Sequence, residues 1–265
     1  MNSREILIYL AIKFEGDWDS IYSAINIKEE FDEKEAMKMI KQIKSSCITV
    51  LDENYPQSLR RVTKAPFVLF YYGDISLIDD SNNKLAVVGS RKCSDYGKKC
   101  TDDLVSELCK DFIIVSGLAY GIDASAHRAA IDHGGKTIAV LGNGIDFCYI
   151  PDNQDIYEKC KEKHLVLSEY PGLVEPIPEH FPIRNRIIAG LCQTLLVTEG
   201  KIASGTQVTA MLMAQKDGDV CCVPDRIGND SICNRLISEG AFLVETADDV
   251  YDVARVVRKK AVFEN

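Results

Sequence analysis

From about residue 47 the chain alternates short apolar runs with amphipathic stretches, and this alternation restricts the possible folds more than any other feature. From residue 85 onward the spacers are mostly about 17 to 25 residues long, enough for a turn, a helix and a return. Apolar runs separated in this way are typical of a mostly parallel sheet covered on both faces. We therefore predict an α/β protein with a Rossmann-like, doubly wound sheet that binds ligands at the carboxyl ends of its strands. The predicted strands are 48–51, 67–72, 85–88, 112–115, 137–141, 165–167, 194–197, 220–223 and 242–244.

The first part of the chain has a different pattern. Apolar residues recur at helical spacing over 3–14, 18–27 and 33–44, with charged residues between them. We therefore predict that the chain consists of two domains and a tail. They are a small helical domain at 1–46, a Rossmann-like domain at 47–257 and a tail at 258–265.

Composition narrows the class of protein. No run of about 18 apolar residues is present and the N-terminus does not resemble a signal peptide, so we expect a cytoplasmic protein with no membrane partner. The ten cysteines include no C-x-x-C pair, which favours buried, reduced thiols over a metal site. The net charge of −9 opposes binding to nucleic acid, so such binding would require a local positive site.

Four predicted strand-to-helix turns are rich in glycine, at 89–92, 116–123, 142–144 and 203–206. Glycine allows a sharp turn and a close approach to a ligand, and a helix N-terminus attracts anions. One such turn needs glycine with or without a ligand, but four at one edge of a sheet favour a phosphate site. A complete G-x-G-x-x-G motif and a Walker A motif are absent, and we predict no cofactor and no metal.

Two arginines follow Pro182, a residue suited to the start of a helix. Arg184 and Arg186 are therefore expected in the first helical turn, where each cation costs about 0.3–1 kcal/mol unless an anion binds there. The guanidinium group matches phosphate oxygens in a bidentate manner. The alternative is a pair of solvated arginines, or of salt bridges to Glu175 and Glu179.

Asp123 and His127 are four residues apart on one predicted helix face, near Ser116 and Ser125. A nucleophile triad is disfavoured because no G-x-S-x-G motif is present. Asp123 is instead expected to cap a helix at 124–132, and His127 to pair with Asp123 or donate to a phosphate.

Several stretches of the sequence, taken together, resemble those of the DprA/Smf family. These stretches are 87–91, 116–127, 137–142, 167–171, 181–191 and 204–206. The similarity runs in order from about residue 48 to 250, and the N-terminal helices resemble the small helical domain of that family. The resemblance implies a non-enzymatic protein that binds and protects single-stranded DNA and helps to load the RecA recombinase during natural transformation. It also implies an extended Rossmann-like domain at 47–257 and a homodimer formed through the C-terminal part of that domain.

The resemblance also predicts the residues of the DNA site. They are Gly89, Ser90, Arg91, Gly117, Gly121, Arg184, Asn185 and Arg186, with Ser204, Gly205 and Thr206 at the same edge. From the residues themselves we add Tyr120, Asp123 and His127 to the predicted site. Tyr120 stands where the family often carries arginine or lysine, so one positive contact is missing or replaced by stacking. Asp225 and Ile232 stand where glycine is usual, which puts the turn between them in doubt. A C-terminal winged-helix domain, present in many relatives, is not expected.

Two other functions remain as alternatives. A Rossmann-like nucleotide phosphoribohydrolase would carry a P-G-G-x-G-T-x-E-E turn, but Val208 and Thr209 stand in place of its two carboxylates. A small-molecule nucleotide sensor would also use an arginine pair. Its affinity should depend weakly on salt, whereas a bound strand should show a log–log slope of about −0.7 per phosphate.

Overall fold

The computed structural model describes residues 1–258 and confirms the α/β class with mostly parallel strands. All nine predicted apolar runs form strands. The tail predicted at 258–265 lies, apart from Arg258, outside the described residues. The strands are β1 Ser46–Thr49, β2 Val68–Gly73, β3 Lys84–Val88, β4 Ile113–Ser116, β5 Thr137–Leu141, β6 Leu165–Ser168, β7 Thr194–Val197, β8 Asp219–Cys222 and β9 Phe242–Leu243. The α-helices are α1 Ser3–Lys13, α2 Trp18–Ile27, α3 Glu33–Gln42, α4 Gln57–Arg60, α5 Asp95–Leu108, α6 Ile122–Asp132, α7 Gln154–Lys163, α8 His180–Leu191, α9 Gly205–Gln215, α10 Ile232–Ser238 and α11 Ala247–Ala254.

The chain forms two compact units, each built from two separate segments. Unit 1 contains Met1–Asp80 and Ile138–Leu191, and unit 2 contains Ser81–Thr137 and Cys192–Asn265. The boundary predicted at residue 46 is not the boundary between these units. As the limit of the small helical domain, it stays a prediction.

Unit 1 holds α1–α3 and four neighbouring strands in the order β1-β2-β6-β5. β2 pairs antiparallel with both β1 and β6, whereas β5 and β6 are parallel. The side chains of Asn2, Asp17 and Asp32 cap the three helices, which explains why these helices begin where they do.

Long-range contacts attach the N-terminal helices to the rest of unit 1. Arg4 Nε donates to Asp52 Oδ1 at 2.8 Å, and Arg4 Nη2 donates to the Cys47 carbonyl at 2.9 Å. The Trp18 ring stacks on Phe67 with centroids 5.1 Å apart, and its Nε1 donates to the Ala65 carbonyl. These helices therefore share a packed interior with the strands of unit 1.

Unit 2 contains five parallel strands in the order β4-β3-β7-β8-β9. Its core packs α5, α6 and α11 against the strands through apolar side chains that are almost fully buried. The chain passes from β3 to β4 on one side, while β7 pairs with β3 on the other side. The direction of strand order therefore reverses between β3 and β7, and the crevice at such a reversal is where open α/β sheets bind ligands.

Three further properties bear on function. Within residues 1–258, no helix is long and apolar enough to cross a membrane. In that described part, no group of three or more His, Cys, Asp or Glu side chains is arranged to hold a metal ion. Each of the ten cysteines carries a free thiol, and six of them are buried.

Candidate functional site

The turns that follow β3 and β4 in unit 2 pack directly against each other. Gly121 has a φ of +75°, and a Cβ atom added there would lie 2.2 Å from the Ser90 carbonyl oxygen and 2.8 Å from that of Arg91. Ile122 N donates to the same Ser90 carbonyl at 3.2 Å. Glycine is therefore required at position 121, and the contact brings the exposed side chains of Arg91 and Tyr120 onto adjoining turns.

Asp123 shapes the second of these turns. Helix α6 begins at Ile122 with Gly121 as its N-cap, so the expectation that Asp123 caps a helix beginning at 124 is wrong. Its Oδ2 instead accepts hydrogen bonds from Gly117 N at 3.1 Å and Ala119 N at 3.4 Å. The carboxylate is buried and holds the backbone of the turn in place.

His127 lies inside unit 2. Its side chain is fully buried, and Nδ1 is 2.6 Å from Thr137 Oγ1. The Thr137 hydroxyl donates its one proton to the Ile114 carbonyl at 2.7 Å. His127 Nδ1 therefore carries a proton and donates it to Thr137, which ties α6 to the sheet. Its predicted phosphate contact stays a prediction.

The third turn of unit 2 leads from β7 into α9. The Ser204 hydroxyl donates to the Lys201 carbonyl at 2.6 Å and makes no cap for the helix, although Ser204 is the N-cap residue. Ala203 has a φ of 56°, and Thr206 is buried. Ser204, Gly205 and Thr206 thus form the start of α9, as the sequence predicts.

Unit 2 also supplies the local positive charge that an acidic protein needs for nucleic-acid binding. Residues 89–99 contain four cationic side chains and one acid. Arg91 and Lys92 are exposed on the turn after β3, and Lys99 pairs with Asp103 at 2.7 Å. This cationic turn, residues 89–94, packs against the turn that carries the exposed Tyr120.

Glu199 is a residue of this edge that sequence reasoning did not assign to the site. Its two carboxylate oxygens accept hydrogen bonds from Ser94 N at 3.0 and 3.1 Å, and Oε2 accepts one from Ser94 Oγ at 2.5 Å. Ser94 is the N-cap of α5, so the carboxylate lies at the start of that helix. The sequence places an acidic residue directly after a predicted strand, at the edge of the sheet where ligands bind, and this position could have identified Glu199.

In unit 1, Arg184 and Arg186 lie further along their helix than the sequence predicts. Helix α8 begins at His180, so Pro182 is its third residue, and Arg184 and Arg186 fall in the second turn. The expectation of two cations in the first turn is therefore wrong. Both side chains are buried, and a penalty from the helix N-terminus no longer argues for an anion beside them.

Arg186 forms a buried, bidentate ion pair. Its Nη1 and Nη2 donate to the two oxygens of Glu169 at 2.8 and 2.6 Å, and its Nε donates to the Lys64 carbonyl at 3.0 Å. The partner is therefore Glu169, and not Glu175 or Glu179. Burial raises the pKa of the Glu169 carboxyl, and the positive charge of Arg186 opposes that shift.

Arg184 and Asn185 are also engaged inside unit 1. Arg184 Nη1 donates to the Val140 carbonyl in β5, and Arg184 Nε donates to Asn185 Oδ1 at 3.1 Å. Both residues are more than nine-tenths buried. These contacts hold α8 against β5, and the role of the two residues in DNA binding stays a prediction.

The turn that contains two departures from the family pattern is well formed. Asp225 N donates to Asn234 Oδ1 at 2.9 Å, and Asn234 Nδ2 donates back to the Asp225 carbonyl at 2.8 Å. Ile232 is buried and begins α10. Neither substitution for glycine prevents the chain from closing this turn.

Comparisons with known proteins agree with this architecture. The sequence pattern of the DNA recombination-mediator protein A family matches residues 46–255. The chain belongs to this family. It is 44% identical over 204 residues to the DNA processing protein DprA of Streptococcus pneumoniae, covering 76% of this chain and 72% of that protein. It is 35% identical over 208 residues to DprA of Bacillus subtilis, covering 77% and 70% of the two chains.

Two solved structures of family members share the fold. The X-ray structure of DprA from Streptococcus pneumoniae superposes with a TM-score of 0.79 at 34% identity, covering 95% of this chain and 98% of the other. DprA from Helicobacter pylori, described for its unique single-stranded DNA binding mode, gives a TM-score of 0.72 at 27% identity, covering 80% and 95%. The Rossmann-like fold predicted from the sequence is therefore confirmed.

Proposed function

We propose that this protein binds single-stranded DNA through the carboxyl-edge turns of unit 2, acts in the cytoplasm, and is not an enzyme. The observation that carries the proposal is the cationic turn 89–94 packed against the Tyr120 turn, in a family that includes a single-stranded DNA-binding member. A local cluster of cations overcomes the acidic net charge because screening limits the reach of distant acids to about 10 Å.

Each part of this surface has a distinct role in the proposal. Arg91 and Lys92 neutralise successive phosphates, and the exposed Tyr120 ring stacks on an unpaired base. Neither contact reads base identity, so binding is largely independent of sequence. Arg184 and Arg186 shape unit 1 from inside, because their guanidinium groups are buried and donate to Val140 and Glu169.

Replacement of Arg91 tests the proposal. Arg91→Ala should lower the affinity for a single-stranded oligonucleotide by at least about tenfold, since a charged hydrogen bond contributes about 1.5–3 kcal/mol. The log–log salt slope should become shallower by about 0.7. Lys110→Ala, an exposed cation at the other end of α5, is the matched control and should bind as the parent does. Equal losses in both variants would argue against a localised site.

The two alternatives are separated by simple assays. Val208 is half-exposed and Thr209 is buried, with its hydroxyl donating to the Gly205 carbonyl at 3.1 Å, so this turn offers no carboxylate to stabilise a ribosyl cation. Release of free base from a nucleoside monophosphate would support the phosphoribohydrolase instead. A nucleotide sensor would bind mononucleotides as tightly as oligomers.

We further propose that the protein forms a homodimer through the C-terminal part of the Rossmann-like domain. The support is the edge strand β9, where Phe242 and Leu243 are 47% and 48% exposed. Light scattering across a concentration series should give a dimer mass for the parent protein. Phe242→Lys should shift it to the monomer, and a parent that stays monomeric at high concentration contradicts the proposal.

We also propose, from the family resemblance, that the protein protects incoming strands during natural transformation and helps to load the RecA recombinase. Protection predicts slower nuclease digestion of bound single strands. Loading predicts faster RecA filament formation on a strand covered by single-strand binding protein. Arg91→Ala should lose both effects together if they depend on the same bound DNA.

A further inference from the structure

The crevice between β3 and β7 in unit 2, where doubly wound folds hold a ligand phosphate, contains a carboxylate of the chain itself. The turn after β3 leads into α5, and the residues after β7 bring Glu199 to the start of that helix. An anion at a helix N-terminus is stabilised by backbone N–H groups and by the helix dipole. Here the carboxylate at the helix start belongs to the chain itself.

We propose that Glu199 is a positioning and specificity-determining residue that holds the turn carrying Arg91 and keeps free nucleotide phosphates out of this crevice. The proposal rests on the proposed binding of single-stranded DNA for its first part. Its second part concerns only the anion at the start of α5 and can be tested without DNA.

Glu199 contacts both ends of the cationic turn. Its carbonyl accepts from Ser90 N at 2.8 Å, and its carboxylate accepts from Ser94 N and Ser94 Oγ. A Cβ atom added at Gly89 would lie 2.5 Å from the same Glu199 carbonyl, so the backbones approach closely there. Arg91 lies between these two attachments, which limit how far its backbone can move.

The contact is additional to ordinary capping of α5. The Ser94 hydroxyl already accepts from Gly97 N at 3.2 Å, as an N-cap side chain does. Glu199 follows β7, whereas Ser94 follows β3. The Glu199 carboxylate fills a recess that exists because residue 97 is glycine. A Cβ atom added at Gly97 would lie 2.2 Å from Glu199 Oε2 and 2.9 Å from its Cδ. The helix start is therefore shaped around this carboxylate.

Three variants test the role of Glu199, each first checked for parental circular dichroism and cooperative urea unfolding. Glu199→Ala removes the anion, Glu199→Gln keeps its size and hydrogen-bonding oxygen, and Glu239→Ala removes a carboxylate that is exposed elsewhere in unit 2. Glu199→Ala should bind a single-stranded oligonucleotide about tenfold more weakly, with a salt slope shallower by about 0.7 because the Arg91 contact is lost. Glu199→Gln should stay within about threefold of the parent, and Glu239→Ala should match it.

The second readout is binding of inorganic phosphate or of 5′-AMP, measured as a rise in the thermal unfolding midpoint. Only Glu199→Ala should gain stability from either ligand, since its helix start is vacated. A parental affinity for DNA in Glu199→Ala, or an equal response to phosphate in the parent and Glu199→Ala, overturns the proposal. If the parent binds no DNA, the proposed function fails, and the phosphate readout still decides whether Glu199 blocks the crevice.

Discussion

The guanidinium group of arginine suits phosphate binding, and that of Arg186 is engaged in a buried ion pair with Glu169. Their side chains are 9% and 5% exposed, and the guanidinium group meets the carboxylate through two hydrogen bonds. Removing two such charges together is often neutral, whereas removing one leaves the other buried without compensation. The pair therefore joins α8 to the residue that follows β6.

We predict that Arg186→Ala lowers the free energy of unfolding by about 3–5 kcal/mol. The double variant Arg186→Met with Glu169→Leu should recover most of this loss, because no unpaired charge remains in the interior. Urea denaturation of the parent, Arg186→Met, Glu169→Leu and the double variant measures the coupling. Additive effects of the two changes would contradict a direct interaction. Any loss of DNA binding in Arg186→Ala has to be corrected for this instability.

The ion pair between Arg4 and Asp52 makes a contribution to stability that depends on pH. Burial alone raises the pKa of Asp52, but hydrogen bonds from Arg4 and from the Thr49 amide outweigh it and hold the pKa below its ordinary 3.8. A carboxyl with a depressed pKa in the folded state stabilises the protein above its unfolded pKa, and this contribution is lost as the pH falls through the folded value. The contribution is thus complete at neutral pH and absent in strong acid.

Arg4→Ala should therefore lower the unfolding free energy at pH 7 by about 1 kcal/mol, since the Arg4 side chain is partly exposed. The difference from the parent should shrink as the pH falls below about 4, where Asp52 of the unfolded chain takes up a proton, and should vanish below the lower pKa of folded Asp52. Urea titrations at a series of pH values measure it. Lys99→Ala, which removes an exposed pair with Asp103, is the control and should change little. A difference that grows in acid would exclude this origin.

At the scale of elements, the contact between the turns after β3 and β4 can be isolated with two glycines. Gly121 and Gly134 both have positive φ, at +75° and +77°, but nothing lies within 4 Å of a Cβ atom added at Gly134. Gly134→Ala should cost only the backbone penalty of about 1–2 kcal/mol and leave DNA binding intact. Gly121→Ala should cost more and should weaken binding, because it pushes the Ser90–Arg91 backbone away. Thermal unfolding and oligonucleotide titration measure both effects, and equal behaviour of the two variants would contradict the contact.

The elements themselves were predictable because their signals are local. The three N-terminal helices end within two residues of their predicted limits, and all nine strands follow apolar runs. The start of α8 and the partners of Arg186 and Ser94 were not predictable. Glu199 meets Ser94 because β7 pairs with β3, and Glu169 meets Arg186 through the packing of α8. Asp123 illustrates the same limit, since either a helix cap or a turn contact was compatible with its position.

At the scale of the whole molecule, both units are discontinuous in sequence. Unit 1 needs Met1–Asp80 and Ile138–Leu191, so a fragment of residues 1–137 contains neither unit complete. We predict that this fragment lacks cooperative thermal unfolding. A fragment of residues 1–191 contains all of unit 1 and should protect backbone amides of β1, β2 and β6 from hydrogen exchange. Mass spectrometry of exchanged peptides measures the difference, and cooperative unfolding of the shorter fragment would contradict this division.

The discontinuity of unit 1 also sets an order of events during synthesis. β2 leaves the ribosome well before β6, its antiparallel neighbour at Leu165–Ser168. At about 5–20 residues per second, the nascent chain presents an unpaired strand edge for several seconds. Unpaired strand edges readily pair with other chains. During this interval the nascent chain should therefore depend on a chaperone more than the folded protein does.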